Sequence, residues 1–203
     1  MKVYVVCVNG APQSGKTTFE ALCNARLDLS MTYSSITPIK DFAMWFGWDG
    51  RSKDEADRRM LSNLKATIDD WYREKGELPF TLKKTYEAIK QFVANNSAPL
   101  FFHDGEEDVM VAFVDVREPK DLDLFKEKFN ATTVIVKRGE NEDKDWGNPS
   151  DNEVNNYWYN AIIKNNYGLE ELGVTADYFI KALLETDKYC VISGEEEFYE
   201  FCN

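Results

Sequence analysis

The residues best equipped for chemistry form one short stretch, Gly10-Ala11-Pro12-Gln13-Ser14-Gly15-Lys16-Thr17. Their spacing is G-x-x-x-x-G-K-[ST], a pattern whose purpose is to hold phosphate. Gly10 and Gly15 free the backbone to curl around phosphate oxygens, so that successive N–H groups point inward. Lys16 reaches the β- and γ-phosphates of a nucleoside triphosphate, and the Thr17 hydroxyl can ligate Mg²⁺. A helix starting there, with Thr18 in its first turn, adds unpaired N–H groups and a positive dipole end. Together these residues predict an ATP site.

Further candidates lie downstream. Asp115 ends an apolar run, where a carboxylate can hold Mg²⁺ beside a phosphate loop; capping the next helix is its alternative role. Arg117 is placed to stabilise charge on a transferring phosphoryl group, or else to pair with Glu118. Arg138, beside Lys137, opens a polar stretch and would complete a site if that stretch closes as a lid. Solvation at a strand end is the alternative. Arg51, Lys53, Arg58 and Arg59 form a basic cluster suited to a second phosphate-bearing molecule, or to ion pairs with Asp54, Glu55 and Asp57.

The elements that must position these groups alternate. Val3 to Val8 is a β-rich run fit for a strand buried on both faces. Phe19, Leu22, Cys23 and Leu27 then recur at helical spacing. A short strand is expected over 31–36, then a helix from about Pro38 to Phe46. The next helix, 54–74, carries Leu61, Leu64, Ile68, Trp71 and Tyr72 on one face. Another, over 81–94, is lined by Leu82, Tyr86, Ile89 and Val93. Residues 98–108 read as a loop, 109–114 as a buried strand, 119–129 as a helix and 132–136 as a strand. Residues 139–156 read as a polar loop or lid, 161–163 as a final strand, and Leu169 to Leu183 as a helix. Residues 188–203 give no clear pattern.

Strands alternating with helices predict an α/β fold with a parallel sheet wrapped on both faces. Ligands in such sheets bind outside the carboxyl ends of the strands, the edge where the glycine loop, Asp115 and Arg138 fall. A length of 203 residues suits one domain: a core of 1–48 and 98–187, a helical insertion of about 49–97 and a lid of about 138–156.

Composition narrows the partners. Lys and Arg total 24 against 36 Asp and Glu, a net charge of −12. So acidic a surface argues against a polynucleotide or an anionic membrane. No apolar run is long enough to span a bilayer. His103 is the single histidine, which excludes histidine-rich zinc sites and Ser-His-Asp triads. Cys7, Cys23, Cys190 and Cys202 lack metal spacing, and the first two fall on core-facing positions. Reducing cytosol is the expected compartment.

With these residues placed, the chain resembles the P-loop nucleoside monophosphate kinases, and most of all the deoxynucleoside monophosphate kinase-like branch of phages and bacterial mobile elements. The resemblance covers most of residues 1–185 and rests on the order of its segments. After the glycine loop come Ser35-Ile36-Thr37-Pro38-Ile39-Lys40, Gly47-Trp48-Asp49-Gly50 and Asp57-Arg58-Arg59-Met60-Leu61. Val114-Asp115-Val116-Arg117-Glu118-Pro119, Ser150-Asp151-Asn152-Glu153-Val154 and Ile163-Lys164-Asn165-Asn166 follow. It implies a P-loop NTPase fold and transfer of the γ-phosphate of Mg-ATP to a (deoxy)nucleoside monophosphate. The acceptor would bind between the helix at 54–74 and the sheet, with residues around 138–156 as lid. It also implies a bacterial or phage-infected host cytosol, and a homodimer is compatible with it.

Two rivals stay open: a kinase for another small phosphorylated acceptor, and a nucleotide-binding interaction protein without turnover. A regulatory GTPase would need a guanine-reading N/T-K-x-D segment, and the sequence has none.

Overall fold

The computed structural model describes residues 1–51, 54–96, 108–139 and 153–192. Strand β1 (Lys2–Asn9) is the centre of the sheet, because its β-branched residues alternate between two cores. Val3, Val5 and Cys7 face one side; Tyr4, Val6 and Val8 face the other. On its flanks lie β2 (Ser30–Ser34), β3 (Val109–Asp115), β4 (Thr132–Lys137) and β5 (Ala161–Lys164), in the order β2-β3-β1-β4-β5. All of these pairings are parallel. The chain also adds β6 (Cys190–Val191), which runs antiparallel to β1 through Lys2 and Val3. The region after 188 had no readable pattern because two residues of strand leave no periodicity.

Helices cover both faces, as continuous apolar strands require. On one face α1 (Lys16–Asn24) and α6 (Leu169–Leu184) bury Phe19 and Cys23 with Leu172, Ala176, Ile180 and Leu183. Arg26, just beyond the end of α1, pairs with Asp177 of α6. On the other face α4 (Phe80–Asn96) supplies Leu82, Tyr86, Ile89 and Val93, and α5 (Pro119–Phe129) supplies Leu122, Phe125 and Phe129. Two further helices, α2 (Thr37–Trp45) and α3 (Glu55–Glu74), meet in a small separate cluster around Ile39, Ala43 and Leu61. Pro38 lies in the first turn of α2, and Asp54 caps α3 by accepting from the Asp57 N–H at 2.8 Å.

Most expected elements form within a residue or two of their anticipated ends, with one instructive departure. The stripe expected on α3 is only partly buried: Trp71 is 51% exposed, with the Lys75 ammonium over its ring. The positions that do sink are Leu61, Lys65 and Asp69. Lys65 and Asp69 can do so because α3 meets α5 and α4 through an ion-pair and hydrogen-bond network as well as through apolar contacts. Leu169, in the first turn of α6, is exposed. Cys7, Cys23 and Cys190 are free thiols, and burial pushes the Cys23 thiol up to about 12. Lys53, the expected loop at 98–107, His103, most of the expected lid (140–152) and Cys202 lie outside the described residues.

Candidate functional site

Backbone geometry builds the loop between β1 and α1. Gly10 and Gly15 have φ of 143° and 97°, conformations an L side chain rarely adopts. A Cβ on Gly10 would fall 2.4 Å from the Val136 carbonyl oxygen; one on Gly15 would fall 2.2 Å from Asn165 Nδ2. Gln13 also takes a positive φ, which turns the loop back on itself. Asn9 Oδ1 accepts from the Gly10 N–H at 2.8 Å, and the Ser14 N–H donates to the Ala11 carbonyl at 3.2 Å. On the far side Asn165 Nδ2 donates to the Ser14 carbonyl at 2.9 Å, while its backbone N–H donates to the Lys137 carbonyl. The strand ends β4 and β5 thereby brace the loop.

Helix α1 begins with no side-chain cap and no acidic residue in its first turn. An anion is therefore the natural partner for its N-terminal N–H groups. Thr17 and Thr18 are exposed at this mouth. Lys16 Nζ donates to the Gly10 and Ala11 carbonyls at 2.7 and 3.0 Å, which keeps the ammonium folded over the loop. The glycine cradle, the uncapped helix and the positioned lysine fit the phosphates of ATP. Because Gly15 is strained for other residues and crowded by Asn165, Gly15→Ala should lower the melting temperature by several degrees, on the scale of about 1–3 kcal/mol for a forced backbone conformation. Adding Asn165→Ala should not restore it, since the φ demand persists. A thermal melt of both variants checks this.

Asp115 stands opposite, at the end of β3, in register with Val8 of β1 and Ser34 of β2. The Ser35 hydroxyl and N–H both donate to its carbonyl, at 2.8 and 3.2 Å, which fixes the strand end. Its side chain meets a group that sequence reasoning missed. Glu20, on α1, is 3% exposed and hydrogen-bonds to the Asp115 carboxyl. Burial, with the charge of Asp115 added, pushes the Glu20 carboxyl up to about 8. Burial also raises Asp115, against the pull of Lys16, Arg117 and Lys40. At neutral pH the pair therefore carries less than its full double charge. Lys40, on α2, is a second cation that the sequence did not single out for this site.

The remaining candidates spread around this centre. Arg117 is exposed just beyond β3, its carbonyl accepting from Asn9 Nδ2 at 3.0 Å, and it acts electrostatically on Asp115. Glu118, which follows it, ion-pairs with Lys65 at 3.1 Å. Asp115 does not cap α5, whose N-cap residue is Glu118. Arg138 is exposed just after β4. Arg51 is exposed before α3, Arg58 is half-buried, and Arg59 is exposed and ion-pairs with Glu55 at 3.6 Å. So Lys16, Asp115 and Arg117 converge with the unforeseen Glu20 and Lys40, and the basic cluster lies on a different element. Asn24, one turn beyond Glu20, donates to the Thr32 hydroxyl at 3.0 Å and ties α1 to β2.

Mg²⁺ needs oxygen ligands and retains several waters. Among the described residues no three His, Cys, Asp or Glu side chains gather in a metal-holding group. Thr17, Asp115, water and phosphate oxygens fit the ion without such a group. No described helix is long and apolar enough to cross a membrane.

No family model and no curated protein matches the sequence. Similar solved structures include shikimate kinase from Aquifex aeolicus, at 11% identity and a TM-score of 0.45, covering 90% of this chain and 99% of that one. Dephospho-CoA kinase from Campylobacter jejuni matches at 13% identity and a TM-score of 0.43, covering 89% and 97%. Likenesses this distant carry no argument about activity. The strand order, the parallel register and the glycine loop between β1 and α1 assign the fold on their own: the chain is an α/β protein with the P-loop NTPase fold.

Proposed function

We propose that the protein is an ATP-dependent kinase that transfers the γ-phosphate to a small phosphorylated acceptor, specifically a (deoxy)nucleoside monophosphate. The observation that carries this reading is the meeting of Lys16, the uncapped start of α1 and Asp115 at one carboxyl edge of a parallel sheet. Phosphoryl transfer needs positioning and charge compensation more than covalent help, and these groups supply both. The loop from Gly10 to Thr18 binds the triphosphate, and Lys16 neutralises its outer oxygens. Thr17 and Asp115 would hold Mg²⁺, which shields charge on the phosphates when bound. An anionic phosphate oxygen of the acceptor attacks the γ-phosphorus and ADP leaves, so no general base is needed.

Arg117 and Arg138, just past the carboxyl ends of β3 and β4 on either side of β1, are assigned to the transferring group. The acceptor is assigned to the helical insertion of about 49–97, with Arg51, Arg58 and Arg59 near its phosphate, and residues of about 138–156 serve as lid. The packing of α2 against α3 beside the β2 edge supports that assignment.

The test is ADP formation from Mg-ATP with each (d)NMP in turn. Stimulation by one or a few monophosphates is expected. ATP binding with no stimulation by any of them would transfer the protein to a different acceptor, or to nucleotide binding without turnover.

A further inference from the structure

Beneath the phosphate loop lies a carboxylate with one buried oxygen that no hydrogen bond accounts for. Glu20 Oε1 is buried and has no hydrogen-bond partner, while the same side chain reaches the Asp115 carboxyl. Its helical neighbours on the buried face, Phe19 and Cys23, are apolar. An apolar residue would therefore satisfy this position of α1 without stranding a polar oxygen. Glu20 follows Thr17 by three residues and Lys16 by four, so all three share one side of the helix. That side faces the strand end that carries Asp115.

We propose that Glu20 is a second carboxylate of the divalent-cation site, acting beside Asp115 and one helical turn after Thr17. This rests on the reading of the loop as a Mg-nucleotide site and goes beyond it, since phosphate-loop spacing alone assigns no role to the fourth residue after the lysine. One or two carboxylates with retained waters is the ordinary protein share of a Mg²⁺ shell. The stranded Oε1 is the oxygen available for that share, directly or through one of those waters. A cation arriving there also resolves the repulsion between two carboxyl groups in contact.

The experiment uses Mn²⁺ as the probe and counts free Mn²⁺ by electron paramagnetic resonance, with and without a non-hydrolysable ATP analogue. Wild type is compared with Glu20→Gln and with Glu20→Asp, which keeps the charge and withdraws it. Glu20→Gln should weaken Mn²⁺ binding about tenfold or more, with metal-free nucleotide affinity within about twofold of wild type. Glu20→Asp should fall between. Mn²⁺ affinity within twofold of wild type in Glu20→Gln overturns the proposal. So does absence of Mn²⁺ binding by wild type in both conditions. If Glu20→Gln fails to fold, Glu20→Asp decides alone: unchanged affinity rejects the role and weakened affinity supports it. Glu20-dependent Mn²⁺ binding in a chain that transfers no phosphate keeps this inference and removes the kinase reading; transfer with Mn²⁺ affinity indifferent to Glu20 does the reverse.

Discussion

Lys16→Ala is expected to abolish the proposed phosphate transfer, with turnover falling about 10³-fold, the scale for losing a preorganised charge-stabilising group. The geometry explains why so large an effect is expected from a side chain that bonds to the carbonyls of its own loop. Its ammonium lies 2.7 and 3.0 Å from the Gly10 and Ala11 carbonyls, at the mouth where outer phosphate oxygens would enter. An incoming phosphate replaces two neutral acceptors with anionic ones, so the bond strengthens as charge develops. Lys16 is also a cation that Glu20 and Asp115 both feel. Without it their carboxyl pKa values rise further, which weakens any cation site they form. Steady-state rates with the stimulating (d)NMP, alongside a thermal melt, separate lost chemistry from lost fold. A folded Lys16→Ala protein with turnover within tenfold of wild type would remove the loop from the mechanism.

What the sequence disclosed follows from how local each signal is. The glycine loop was legible because its chemistry is written in consecutive residues, and β1 and β3 because strands buried on both faces are apolar without interruption. Asp115 was legible as the polar residue ending such a run. Glu20 was not: a lone glutamate in a short helix reads as solvated, and only the approach of β3 makes it buried. Lys40 is hidden in the same way, since its relation to Asp115 crosses from α2 to β3. On α3 the stripe holds except at Trp71, and what it left out has a complementary reason. Hydrophobic periodicity assumes that what faces inward is apolar, and the inward groups of α3 include Lys65 and Asp69.

That buried pair carries the second large prediction. Lys65 Nζ lies 2.6 Å from Asp121 Oδ2 and 3.1 Å from both Asp69 Oδ2 and Glu118 Oε2. Asp69 in turn accepts from the Thr81 N–H and hydroxyl at 3.0 and 2.9 Å, so one ammonium joins α3, α4 and the start of α5. Burial alone would pull the Lys65 pKa down, yet Asp121, Glu118 and Asp69 hold it above the usual lysine range. For Glu118 burial pushes upward most strongly, but Lys65, a hydrogen bond with Asp121 and the charge of Lys120 together outweigh it, leaving that carboxyl below its ordinary value. Its share of stability is thus present above the unfolded carboxylate pKa and lost as pH falls through the lowered one. Burial raises Asp121 instead. Lys65→Met leaves three carboxylates around an apolar stem, and breaking a buried ion pair from one side costs about 3–5 kcal/mol. For a domain of this size that lowers the melting temperature by about 6–20 °C. The loss should be greatest near neutral pH and shrink toward about pH 5, where protonation relieves the stranded carboxylates. Adding Glu118→Gln and Asp121→Asn to Lys65→Met should recover much of it, because the cost lies in uncompensated charge rather than in lost volume. A Lys65→Met melt within about 2 °C of wild type at neutral pH would show that the network contributes nothing. Because Glu118 follows Asp115 by three residues, the same ammonium also anchors α3 to the strand end that forms the site. A destabilised Lys65→Met protein should accordingly lose affinity for the acceptor before it loses ATP.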